Sequence, residues 1–445
     1  MTEADRTQFE QPLQWACWPE PGSWPQFGHD PLHTGRSDVD LQTLDLALAW
    51  QFRPSEHVWA YQPGYSVWSP PVAGTVAGRP LVIAGYYDKN VYAVDGTSGE
   101  RVWEFRPGAP VFAAPALGLV EGQPAVFVAA INRSIYRLDA ATGEQRWMFE
   151  TAPWSFTAAA SFMSSPTLVN EAGRAVVLVG VFNSDRSASA NVQAGEMIAL
   201  EAVDGTVRWR KRLGSVPVAS AAVARLGGEL VAFVASRHGV VQALRVRDGS
   251  TVWESVLNEE SHSSPSLAVV DGRGRLFVGT RFHSLFALDL QTGSRQWRRQ
   301  TGYWIDATPA WFAAGPRTVV VAGSYDRSFY AWSASDGQPL WRAQTGNYAY
   351  SSSAVAAVGD RPVVVSMSWD DHLYVFDGLT GEALWKARSG PLLWSHVYQG
   401  DSRWASPVVA RLGGWPTLLF AAYDGVLYAY RPRRPAFATG PAAGG

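Results

Sequence analysis

Val91-Tyr-Ala-Val-Asp95-Gly-Thr-Ser-Gly99-Glu-Arg-Val-Trp103 is the stretch on which the fold turns. It returns as Ile135-Tyr-Arg-Leu-Asp139-Ala-Ala-Thr-Gly143-Glu-Gln-Arg-Trp147, then in phrases ending at Trp209, Trp253, Trp297, Trp341 and Trp385. The tryptophans are 44, 62, 44, 44, 44 and 44 residues apart. A second phrase, small-small-Pro, precedes each one at Pro71, Pro115, Pro166, Pro265, Pro309 and Pro407, with Ala221 and Ser353 in the same register. A fixed period of this size marks a stack of supersecondary units. Each unit predicts four short strands. Strand A follows the small-small-Pro anchor, and strand B is an apolar run such as Ala125–Ala130. Strand C is the alternating Tyr-Ala-Val-Asp phrase, and strand D carries the tryptophan. The Asp-x-x-Thr-Gly between C and D is a tight turn whose Gly supplies a positive φ.

Four antiparallel strands per 44 residues make a propeller blade. Eight anchors but only seven following tryptophans leave the eighth blade one strand short. Leu46-Ala-Leu-Ala-Trp50-Gln-Phe52-Arg-Pro54 matches Val102-Trp103-Glu-Phe105-Arg-Pro107, so it supplies the missing strand and closes the ring. The expectation is an all-β, eight-bladed β-propeller over residues 41–430. An N-terminal extension covers 1–40 and a flexible C-terminal tail covers 431–445.

Composition agrees. Of 445 residues, 47% are hydrophobic and 17% charged, with 21 Trp, 42 Gly and 28 Pro, as short strands and many turns require. A formal net charge of −2 argues against a nucleic-acid partner or an anionic membrane surface, and no apolar run reaches the length of a bilayer span. Cys17 is the one cysteine, which excludes an internal disulfide, a cysteine-based zinc site and a CxxC pair. The polar start, MTEADRTQFEQPLQWAC, lacks a signal-peptide pattern and leads to an expected cytoplasmic location.

The Ala-x-Asp-x-x-Thr-Gly-x-x-x-Trp repeat resembles the tryptophan-docking motif of the pyrroloquinoline-quinone (PQQ) propeller superfamily. That superfamily includes quinoprotein dehydrogenases and a noncatalytic outer-membrane assembly lipoprotein. Trp24-Pro-Gln-Phe27-Gly-His-Asp30-Pro-Leu-His-Thr34-Gly35 resembles the phrase that opens such chains. The resemblance implies the propeller and leaves the activity open. A dehydrogenase reading implies a vicinal disulfide under the quinone, a haem-attachment CxxCH and a basic cluster for the quinone carboxylates, and this sequence lacks all three. A scaffold reading implies an export signal and a lipid anchor, also missing. The repeat Trp, and Asp88, Asp326, Asp370 and Asp424 at the B–C turns, are expected to serve packing and turn geometry.

Function is expected where the repeat is broken. Loops 53–66, 150–162, 183–195 and 387–403 exceed the regular connections, and strand parity puts all four on one face, around the channel mouth. They carry His57, Trp59, Tyr61, Tyr65, Trp154, Phe156, Trp394, His396, Tyr398 and Arg403. Three residues before each anchor the ring reads Trp68, Phe112, Met163, Val218, His262, Asp306, Tyr350 and Trp404. Two residues earlier it includes Glu260, Trp304 and Tyr348. One arc is apolar, and the other sets His262, Asp306 and Tyr350 side by side with Glu260 nearby. A carboxylate beside an imidazole suits acid–base chemistry, and a tyrosine can donate a proton. The same arc also suits a plug of hydrogen bonds and water.

No GxxxxGK, HExxH or GxSxG is present, and His57 with His396 lacks a third metal ligand. The sequence thus leads to a cofactor-independent enzyme whose chemistry is cyclisation, isomerisation or condensation of an aromatic or apolar small molecule in specialised metabolism. His262, Asp306, Tyr350 and Glu260 would be its catalytic groups. Trp68, Phe112, Met163, Trp304, Tyr348, Trp404, Arg403, His57, Trp394 and His396 would line its ligand site, with no cofactor and no metal. The alternatives are a noncatalytic scaffold or ligand-binding protein, with a protein partner, and a PQQ-dependent dehydrogenase.

Overall fold

The computed structural model describes residues 18, 20–54, 69–151, 164–184, 193–215, 219–388, 406–422 and 424–433. These residues form eight antiparallel blades around a central channel. In blade 1 the strands are Val72–Val76, Arg79–Gly85, Val91–Asp95 and Arg101–Phe105. The following blades repeat that order. Blade 8 consists of Val408–Leu412, Trp415–Ala421 and Leu427–Pro432, with Leu46–Phe52 as its outer strand. Trp50 faces Ala429 there, as Trp103 faces Ala93 in blade 1, so the closing strand sits in the register its sequence predicts. Among the described residues no helix is long and apolar enough to cross a membrane.

The blade-to-blade joints explain the repeated phrase. Each Asp accepts backbone N–H bonds from its own turn, as Asp95 does from Thr97 (2.8 Å) and Ser98 (3.1 Å). The turn Gly lies flat under the tryptophan of the preceding blade, so its missing side chain matters as much as its positive φ. The indole then donates to the carbonyl three residues before that Gly: Trp50 to Gly96 (3.0 Å), Trp103 to Ala140 (2.9 Å), Trp253 to Leu290 (3.0 Å) and Trp341 to Gly378 (2.7 Å). Fully buried Phe127, Phe233, Phe277 and Phe420, all on strand B, fill the space between sheets. The small residues of the anchor form a belt around the channel. Backbone N–H groups of Ala114, Ser165 and Ser220 donate to Ser165, Ser220 and Ser264 of the next blade.

The segment before the first propeller strand is built into the channel. The inner edge of a blade leaves backbone groups of strand A without a sheet partner, and such groups must be satisfied elsewhere. Trp24 exchanges both backbone hydrogen bonds with Ala73 of blade 1. Pro25 accepts from Leu117 of blade 2, and the Gln26 side chain accepts from Leu168 of blade 3. Pro31, Leu32, Thr34 and Gly35 accept from Val223, Leu267, Trp311 and Val355 of blades 4 to 7. Gly22 accepts from Arg411, and the Ser37 hydroxyl donates to Val409, both in blade 8. Residues 22–37 therefore make one full turn around the axis. The turn is latched where the Asp38 carboxylate accepts the Gly22 N–H at 3.0 Å. Arg36–Asp40 then runs parallel to Ala354–Val358 and makes blade 7 five-stranded.

Asp30 holds a bend of the ring by accepting from Leu32 N, Thr34 N and Thr34 Oγ1. Burial alone would raise its pKa, but hydrogen bonds and charge from His29, with those from Thr34, keep it below the ordinary carboxylate value. His33 is 1% exposed, and its Nδ1 lies 3.0 Å from the Pro265 carbonyl. Because a carbonyl only accepts, that nitrogen carries the proton. Burial lowers the His33 pKa to about 4, so the imidazole is neutral.

Candidate functional site

The mouth of the channel is formed where D–A and B–C connections emerge together. In blades 2, 5, 6 and 7 the B–C turn is pinned to the D–A connection of its own blade: Ile131 N to Pro110 O, Arg281 N to Glu260 O, Tyr325 N to Trp304 O and Trp369 N to Tyr348 O. The side chain of that turn residue leans over the next blade. Tyr87 stacks on Phe112 with ring centres 5.5 Å apart, and Arg237 reaches Glu260 at 2.9 Å. Arg281 reaches Asp306, and Tyr325 packs between Tyr348 and Tyr350.

This geometry decides the pairing of the polar arc. The sequence expectation joins His262 to Asp306. In the structure, His262 Nε2 lies 2.8 Å from Glu260 Oε1, two residues back on the same connection. Asp306 receives the Arg281 guanidinium through Nε (3.2 Å) and Nη2 (3.0 Å). The reason for the correction is Arg281, which comes from the B–C turn of blade 5 and claims the carboxylate of blade 6. Arg237, Glu260, Arg281 and Asp306 thus alternate in charge across blades 4 to 6. The hydrogen bond from His262, with those from Arg237, lowers the Glu260 pKa to about 2. A carboxylate held that low is anionic at neutral pH and is a weak proton acceptor. The arrangement suits a fixed ion-pair network better than a proton-transfer site.

Tyr350 belongs to an aromatic cluster next to this ladder. It is 8% exposed, and Trp369 meets it edge-on with ring centres 5.6 Å apart. Burial pushes its phenol well above the ordinary value, so it keeps its proton. Trp304 lies under the Arg281 guanidinium at 4.7 Å and stacks on Tyr303 at 5.0 Å. Tyr348 contacts both Tyr325 and Trp369. Phe282 and Tyr303 remain exposed, at 58% and 39%. Arg237, Arg281, Tyr325 and Trp369 were not singled out in the sequence, although they recur every 44 residues and the signal was there.

Trp68, Met163, Trp404, Arg403, His57, Trp394 and His396 lie outside the described residues. So do Val218 and most of the four long loops. The described ends of the 183–195 insertion continue strands B and C of blade 3, pairing Ser184 with Gln193.

The superfamily's cofactor, a tricarboxylated quinone held with a metal ion, requires free cations and a carboxylate cluster. Among the described residues no three His, Cys, Asp or Glu side chains converge for a metal, and Arg237 and Arg281 are engaged with Glu260 and Asp306. These residues do not fit that group.

Comparison with known proteins is consistent with the architecture. A family model described as outer membrane protein assembly factor BamB matches residues 47–180, 87–260, 154–303 and 237–435. No curated protein matches. The structure is similar to the quinohemoprotein alcohol dehydrogenase of Comamonas testosteroni, with a TM-score of 0.69 and 14% identity over 99% of this chain and 86% of that one. It is similar to a europium-containing methanol dehydrogenase, at 0.71 and 14% over 96% and 100%. It is also similar to BamB of Moraxella catarrhalis, at 0.57 and 16% over 87% and 99%. At these identities the structural likeness establishes the fold alone. The family match overturns the cofactor-free acid–base enzyme expected from the sequence and favours the alternatives to it. With its repeats matched from residue 47 to residue 435, the chain belongs to the PQQ-type propeller family described as outer membrane protein assembly factor BamB.

Proposed function

We propose that the protein is a noncatalytic propeller scaffold that docks a partner protein on its channel-mouth face. The observation that carries this reading is the mouth of blades 5 and 6. Its charged groups neutralise one another, while Phe282 and Tyr303 stand exposed beside Trp304 and Arg281. Tyr, Trp and Arg are the residue types that dominate binding at protein interfaces, and an ion-pair ladder around them supplies orientation. The dehydrogenase alternative is disfavoured by the engaged arginines.

The test is co-purification of the tagged full-length chain from its native host, compared with Phe282→Ala and Tyr303→Ala variants. The expected result is a stoichiometric protein partner that both variants lose while thermal unfolding is unchanged. Dye reduction on adding PQQ, calcium and an alcohol to the purified protein would overturn the scaffold reading. So would a partner retained at full stoichiometry by the double variant.

A further inference from the structure

The inner ring lines a partly open cavity of about 440 Å³. Its walls come from the ring itself and from the strand A residues that bond to it, and it extends past Leu267 to Ala268 and Val269. It therefore runs away from the mouth, along strand A, and is separate from the aromatic and ion-pair face. Leu117, Leu168, Leu267 and Trp311 give it an apolar wall. Four charged residues also line it: Glu20, Asp30, Arg36 and Asp38, of which Asp30 is already engaged by His29 and Thr34.

Glu20, Arg36 and Asp38 differ from Asp30 and from most charges elsewhere in the molecule. Glu20 Oε2 accepts the Thr75 N–H at 2.8 Å, and the Asp38 carboxylate accepts the Gly22 N–H. Both carboxylates are thus positioned by backbone amides. Among the described residues neither forms an ion pair, and Arg36 forms none either, although Asp38 lies only two residues away on the same strand. Most of the arginines around the ring and its blades are paired, as Arg79 is with Asp95 and Arg245 with Glu229. Among the described residues, one guanidinium and two carboxylates without an ion-pair partner thus border an apolar cavity of ligand size, with Arg36 and Asp38 exposed at its opening.

We infer that this cavity binds an apolar zwitterion of amino-acid or dipeptide size. The ligand carboxylate would meet Arg36, which offers a planar pair of N–H donors. Its ammonium would meet Glu20 and Asp38, and its side chains would cover the leucines and Trp311. A simple fatty acid satisfies Arg36 but faces the two carboxylates. An alkylamine leaves Arg36 without a partner. The site is independent of the proposed docking function and makes no use of the mouth face.

The experiment is calorimetric titration of the full chain with the dipeptide Leu-Leu, alongside N-acetyl-Leu-Leu-amide and octanoate. Saturable 1:1 binding of Leu-Leu is expected, with the capped peptide and octanoate at least about tenfold weaker, as loss of a charge-assisted hydrogen bond entails. Arg36→Gln should weaken Leu-Leu about tenfold and leave the capped peptide unchanged. Glu20→Gln keeps the acceptor for Thr75, so the fold is preserved while the ammonium loses a partner. Equal affinity for free and capped peptides would overturn the proposal. No saturable Leu-Leu binding, or unchanged binding by Arg36→Gln, would also overturn it.

Discussion

Replacing Gly293 with alanine tests whether tryptophan docking holds neighbouring blades together. Gly293 has φ +70°, and an added Cβ would lie 2.5 Å from Trp253 Cε3. Trp253 is 9% exposed and donates to Leu290 O at 3.0 Å, so the ring has no free direction in which to retreat. Gly122 is the control, because its φ is +76° but nothing lies within 4 Å of its Cβ position. Gly122→Ala should cost only the left-handed backbone penalty, about 1 kcal/mol. Gly293→Ala should cost the same, about 1 kcal/mol for the indole hydrogen bond, and about 1–3 kcal/mol for overpacking. The difference between the variants is therefore about 2–4 kcal/mol. Urea unfolding followed by tryptophan fluorescence measures it. A difference under about 1 kcal/mol would refute the claim that the Trp–Gly contact is a principal joint.

Three further outcomes are expected. Gly28→Ala, whose Cβ would lie 2.9 Å from His33 Cα at φ +68°, should loosen the inner ring. Hydrogen exchange at the Leu117, Val223, Leu267, Trp311 and Val355 amides should then accelerate together, by roughly 30-fold if the ring loses about 2 kcal/mol. His33 has a folded pKa of about 4, below its ordinary 6.5, so only the unfolded chain gains its proton between these values. Stability should fall as pH drops through that window, by up to about 3 kcal/mol, and then level off. His33→Gln should remove that part of the pH slope in unfolding measured from pH 7.5 to 4. Arg281→Gln leaves the Asp306 carboxylate, 11% exposed, without its guanidinium and should cost about 2 kcal/mol. Thermal unfolding should show Asp306→Asn recovering much of that loss in the same background.

The propeller was legible in the sequence because everything that builds a blade is local and periodic. The Asp-x-x-Thr-Gly turn, the strand alternation and the tryptophan are set within a few residues and recur at 44. Even the closing strand could be read, since Trp50 and Phe52 repeat the spacing of Trp103 and Phe105. The candidate site was half legible. Register alone brought Glu260, His262, Trp304, Asp306, Tyr348 and Tyr350 to the mouth. It could not choose between Glu260 and Arg281 as partners, because that depends on how far a B–C turn reaches over the next blade. The inner ring was not legible as a ring. Residues 22–37 have no period, and their bonds run mainly through backbone atoms to a different blade at each step. Backbone groups are the same in every residue type, so only the tertiary structure, by placing eight unpaired strand edges around one axis, decided where that segment would lie.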